Sequence, residues 1–133
     1  MSAVLISRLT EGFSQDPKTG WSAYPFLQPG GGLGLDIKAV HIVAIYPGQV
    51  RGNHYHAKTT ELLVLFSGRG VFYWEEEGVL REHPVKDGPV VITVPPGIKH
   101  AFKNTGETDV YLIAVRGGES GLEDPDIVRC RLL

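Results

Sequence analysis

This chain of 133 residues predicts an all-β fold, a small sandwich or barrel. Segments of four to ten residues rich in Val, Ile, Tyr, Phe and Trp recur along it. Gly, Pro and Asp clusters separate them at short, regular spacing, as turns between strands do. No window of a dozen residues carries apolar positions at helical spacing.

In chain order, strands are expected near Trp21–Phe26, Ile37–Tyr46, Asn53–His56, Glu61–Phe66 and Gly70–Glu75. Five more are expected near Leu80–Val85, Pro89–Val94, His100–Asn104, Val110–Arg116 and Ile127–Leu132. Ser67-Gly68-Arg69-Gly70, Glu77-Gly78, Lys86-Asp87-Gly88 and Thr105-Gly106 supply the turns, each with a glycine that tolerates positive φ. A helical turn is expected at most near Glu119–Asp124. Gly30-Gly31-Gly32-Leu33-Gly34 lacks a following Gly-Lys-Ser/Thr, so it reads as a flexible connection and not a phosphate loop. Glu75-Glu76-Glu77 reads as a solvated hairpin tip, and His83 as a surface residue.

Composition removes several function classes. The net charge is −2, with no run of Lys or Arg, which argues against nucleic acid or an anionic membrane as partner. The apolar start, Met1 to Ile6, is too short for a signal peptide or a spanning helix. One cysteine, Cys130, leaves no internal disulfide and fits a reducing compartment, so the cytoplasm is the expected location. The length suits one domain over residues 1–133.

Chemistry concentrates between residues 48 and 104. Alternate residues of a strand project from one face, so His54 and His56 can bind one ion together. Glu61, after a short connection, and His100, from a later strand, complete a set of three imidazoles and one carboxylate. Such a set suits one divalent transition metal ion (Fe, Mn, Ni, Zn or Cu) and keeps one or two positions open for water or a substrate oxygen. The opposing reading is of ordinary hydrogen-bonded histidines lining a ligand pocket.

Gly48-x5-His54-x-His56-x4-Glu61-x6-Gly68 resembles the first signature of the cupin superfamily at every defined position. Pro95-x-Gly97-x2-His100-x3-Asn104 resembles the second. The motifs span 48–68 and 88–104. Gly88 stands one residue further from Pro95 than the usual pattern has it, which implies a bulge or shifted turn and leaves the ligand spacing intact. The resemblance implies a double-stranded β-helix, the cupin jelly-roll barrel, with His54, His56, Glu61 and His100 around one divalent ion.

A narrower resemblance lies in Arg51-Gly52-Asn53-His54-Tyr55-His56. It is similar to the Arg-Gly-x-His-Tyr element of deoxysugar-nucleotide epimerases, and more so to metal-containing cupins attached to capsular-polysaccharide precursor enzymes. The segments Asp16 to Trp21 and Asp124 to Arg129 also resemble that group. The resemblance implies that Arg51 faces a phosphate of a nucleotide-sugar. In the metal-free epimerases the position of His56 is usually glutamine and that of His54 a base. With a ligand set in place His54 is no longer free for that role, and a metal must do the acid's work.

Other pocket groups follow from strand alternation. Lys38 facing solvent puts His41 inward with Ala39 and Val43, a partly buried acid–base candidate. Phe102 shares a face with His100 and walls a pocket whose inner surface also carries Leu63, Leu65 and Phe72. Tyr55 alternates outward. The expected function is a metal-dependent epimerase or isomerase acting on a sugar-nucleotide in polysaccharide-precursor metabolism. An oxygenase or lyase, or a non-catalytic binder of a small ligand, stands as the alternative. A homodimer is expected, because Val64 and Phe66 on the outer face need cover.

Overall fold

The structure is a computed structural model that describes residues 3–28, 36–86, 88–118 and 126–133. Among these residues twelve strands run β1 (Leu5–Arg8), β2 (Ser14–Asp16), β3 (Gly20–Ser22), β4 (Ile37–Ile45), β5 (Val50–His56) and β6 (Thr59–Ser67). They continue as β7 (Gly70–Glu76), β8 (Val79–Val85), β9 (Val90–Val94), β10 (His100–Asn104), β11 (Val110–Gly118) and β12 (Ile127–Arg129). Two five-stranded sheets form, ordered β1-β9-β6-β11-β4 and β12-β5-β10-β7-β8, with a separate β2-β3 hairpin. Strands adjacent in space are often far apart in sequence, as in a jelly roll.

The alternation read from the sequence decides which side chains meet between the sheets. Ile45, Phe72, Ile92, Val94, Val110 and Leu112 point inward and are almost wholly buried. Each such side chain contributes roughly 1.5–3 kcal/mol through burial. The opposite face of the first sheet forms a second cluster of Leu62, Val64, Val91 and Val115 under Leu9, with Ala23 packed against it. Val64 is therefore covered by its own chain, contrary to the expectation that it needs a partner; Phe66 remains exposed. Gln28 secures that cover. Its Oε1 accepts from Thr10 N and Glu11 N, and its Nε2 donates to the carbonyls of Glu11 and Tyr24.

Several expectations need correction. The strand expected at Trp21–Phe26 stops at Ser22, because Pro25 opens a 3-10 turn over Pro25–Leu27. β1 was not expected: four residues ending in Ser7 and Arg8 give too little pattern, yet they pair with β9. The last strand ends at Arg129 and not Leu132. Only Glu77 is a solvated tip; Glu76 accepts from the Trp74 indole (2.7 Å) and from Ala3 N. β9 pairs with β6 in unbroken register, so the extra residue after Gly88 produces no bulge within that strand. The Gly30–Gly34 connection and the turn expected at Glu119–Asp124 lie outside the described residues.

One bulge sets up the site. Along β5, His54 pairs with His100 but Gly52 pairs with Ala101, leaving Asn53 as an extra residue. Gly52 has φ +106° and Asn53 +53°. A Cβ on Gly52 would lie 2.9 Å from Ala101 Cα and 3.0 Å from the His100 carbonyl, so only glycine fits. In a flat strand Arg51 and His54 would face opposite sides. The bulge turns Arg51 inward, opposite Phe102, while His54 stays inward opposite His100.

Candidate metal and ligand site

His54 and His56 come from β5, Glu61 from β6 and His100 from the start of β10. One donor atom each of His54, Glu61 and His100 lies within 4.8 Å of the others. His56 joins through Glu61, its Nε2 3.0 Å from Oε2, while His100 Nε2 stands 2.9 Å from Oε1. The ring centroids of His54 lie 5.1 Å from His56 and 4.9 Å from His100. All four residues named from the motif spacing are thus brought together.

The protons show what this cluster lacks. His100 Nδ1 faces the Ile98 carbonyl at 2.9 Å, which only accepts, so Nδ1 carries the hydrogen. His56 Nδ1 faces the Asp126 carboxylate at 3.2 Å and is constrained in the same way. Each Nε2 then either donates to the Glu61 carboxylate, when its ring carries both hydrogens, or, in the neutral ring, turns a lone pair on a cation bound between them. His54 Nε2 is buried with no hydrogen-bond partner. Three nitrogen lone pairs and a carboxylate converge, and a divalent cation satisfies them together; carboxylate and carbonyl partners on the remote nitrogens orient such ligands.

The electrostatics agree. Burial, then the neighbouring His100, pushes His54 down to about 4, so its imidazole is neutral at physiological pH. Burial pushes the Glu61 carboxyl up, but hydrogen bonds with His100 and His56 outweigh it and hold the group well below the usual carboxylate range. Burial likewise opposes ionisation of Asp126, and hydrogen bonds from Lys58 N, Thr59 and His56 reverse that and keep it ionised.

The cluster forms one end of a cavity of about 160 Å³. Val43, Ile45, Leu63, Phe72, Phe102, Leu112 and Ala114 give it apolar walls. His41 lines it as the alternation required, yet it is exposed and not partly buried. β4 is the edge of its sheet, with β11 beside it on one side only, so His41 sits at the open mouth. Arg51 and Phe102 line the cavity too, Arg51 exposed and Phe102 buried. Sequence reasoning missed Asp126, Ile127 and Arg129, which β12 brings against β5; the only signal was the resemblance noted for that segment.

Residues 41–116 match the Cupin domain family. An oxalate-binding protein of Thermotoga maritima is 36% identical over 69 residues, 52% of this chain and 53% of that protein. The capsular polysaccharide assembling protein CapF of Staphylococcus aureus superposes with a TM-score of 0.65 at 27% identity, covering 74% of this chain and 29% of that one. QdtA, a sugar 3,4-ketoisomerase of Thermoanaerobacterium thermosaccharolyticum solved with TDP, superposes at 0.73 with 17% identity over 95% of this chain and 87% of that one, a likeness of fold. The chain thus spans about half the length of the oxalate-binding protein and less than a third of CapF. Among the described residues no helix is long and apolar enough to cross a membrane.

Proposed function

Since the chain belongs to the cupin domain family, matched over residues 41–116, we propose that it is a metal-dependent epimerase or isomerase acting on a sugar-nucleotide in polysaccharide-precursor metabolism. The observation that carries the metal is the orphaned His54 Nε2, aimed among His56, Glu61 and His100. Those four residues would hold one divalent ion (Zn, Fe, Mn or Ni). When bound, such an ion polarises a carbonyl oxygen and makes the adjacent C–H more acidic.

The protein's own groups do the rest. For isomerisation His41, at the cavity mouth, takes a proton at one imidazole nitrogen from the carbon beside the carbonyl and delivers it to the carbonyl carbon, while the proton of the neighbouring hydroxyl passes to the carbonyl oxygen. Arg51 holds a phosphate of the nucleotide with its planar fork. Phe102, Leu63 and Leu112 exclude water around the sugar. A cavity of about 160 Å³ encloses only part of such a ligand, leaving the nucleotide on the open side past Arg51 and His41. The chain acts as a homodimer in the cytoplasm, the compartment its single cysteine fits.

A second reading has its own support. The cavity is below the range of roughly 300–1,000 Å³ for drug-sized ligands, and a 36% identical relative is an oxalate-binding protein. Non-catalytic binding of a small carboxylate follows from those two facts. Incubating the metal-loaded protein with TDP-4-keto sugars in deuterated water separates the readings. Solvent deuterium entering the sugar ring supports the isomerase; oxalate binding without any exchange leaves the binder.

A further inference from the structure

Two arginines open onto the cavity, Arg51 and Arg129. Arg129 is the last residue of β12, and its register partner across the strand pair is His54. Directly opposed residues of an antiparallel pair share a face, with Cβ atoms about 4.5–5.5 Å apart. Arg129 therefore starts beside His54 on one side, as His100 does on the other. Arg51 reaches the same cavity from the Phe102 side, turned inward by the bulge at Asn53. Neither guanidinium has a hydrogen-bond or ion-pair partner among the described residues. Among the described residues the one carboxylate lining the cavity is Glu61, which is engaged by His56 and His100.

The C-terminal segment is fastened where this role needs it. Cys130 N donates to the Asn53 carbonyl at 2.9 Å, and Leu132 N and Leu133 N both donate to Asn53 Oδ1 at 3.0 Å. The bulged residue that turns Arg51 inward is thus the one that fixes the strand carrying Arg129. Two unpaired guanidiniums on a largely apolar cavity, with no free acid among the described residues that line it, select a ligand with two anionic groups.

We infer that Arg129 is a second oxyanion-binding residue, which together with Arg51 clamps a dianionic part of the ligand beside His54. The inference rests on the proposed ligand site and names what that site accepts: the diphosphate of a nucleotide or the carboxylates of a small diacid. Isothermal titration of the purified metal-loaded protein with TDP and with oxalate tests it. Arg129→Gln should weaken whichever probe binds by about 10–100-fold, the range for a lost hydrogen bond to a charged group, with Arg129→Lys recovering only part. Arg131→Gln, the same charge lost from the same tail but outside the cavity lining, should bind as the unaltered protein does. Metal content should be equal in all variants. Binding of oxalate alone keeps the clamp and removes the sugar-nucleotide reading; binding of TDP keeps both. An Arg129→Gln affinity within twofold of the unaltered protein overturns the inference. So does failure of both probes to bind, or a loss of metal content in that variant.

Discussion

His56 Nδ1 stands 3.2 Å from Asp126 Oδ1, across 70 positions of chain, and this contact joins the candidate metal site to the C-terminal strand. Asp126 is buried and has positive φ. It accepts from Lys58 N at 2.7 Å, Thr59 N and Oγ1 at 2.9 Å, and Arg116 Nη1 at 3.2 Å. One carboxylate thus orients a ligand imidazole, pins the start of β6 and ties down β11.

Asp126→Ala should therefore damage both stability and metal binding. Removing one partner of a buried ionic network costs roughly 3–5 kcal/mol, and losing the partner of a ligand histidine costs about 10–100-fold in metal affinity. Urea unfolding and a competitive chelator titration read the two effects separately. A variant with the original midpoint and affinity would show that Asp126 fills space only.

The acid response of the metal-free protein follows from His54. Its imidazole titrates near 4 in the fold and near 6.5 in an unfolded chain. Between those values the unfolded state binds more protons, so stability is full above about 6.5 and falls as the pH drops toward 4. Glu61 and Asp126, held below the ordinary range, add to the loss from about pH 5 downward. Melting temperatures of chelator-treated protein should decline between pH 6.5 and 4.5, and His54→Gln should flatten that decline. Parallel curves for the two proteins would contradict the assignment.

Association should use β4. Val40 and Ile42 are 60% and 79% exposed on its outer face, and among the described residues β4 is an unpaired sheet edge. A homodimer is expected at roughly tens of micromolar, with Ile42→Lys shifting it to monomer. Sedimentation showing the unaltered chain as a monomer at that concentration rules this surface out as a dimer interface.

The convergence of His54, His56, Glu61 and His100 was legible because strand alternation and fixed spacing are local properties, and all four obey them. Most strands were legible for the same reason. The inward turn of Arg51 follows from the Gly52–Asn53 bulge, which simple alternation counted back from His54 does not contain. Asp126 and Arg129 owe their positions to pairing between β12 and β5, a contact between distant parts of the chain that no local pattern specifies. His41 was placed on the right face with the wrong exposure, since nothing in its own segment reveals that β4 is an edge.

The convergence of four donors on one cation is tested most directly by elemental analysis of the purified protein and of a His54→Ala/His56→Ala double variant. About one divalent transition metal ion per chain is expected in the first. Removing two of four ligands leaves an open, solvated site, and the double variant should retain almost none. Equal occupancy in both proteins would contradict a metal centre at these residues.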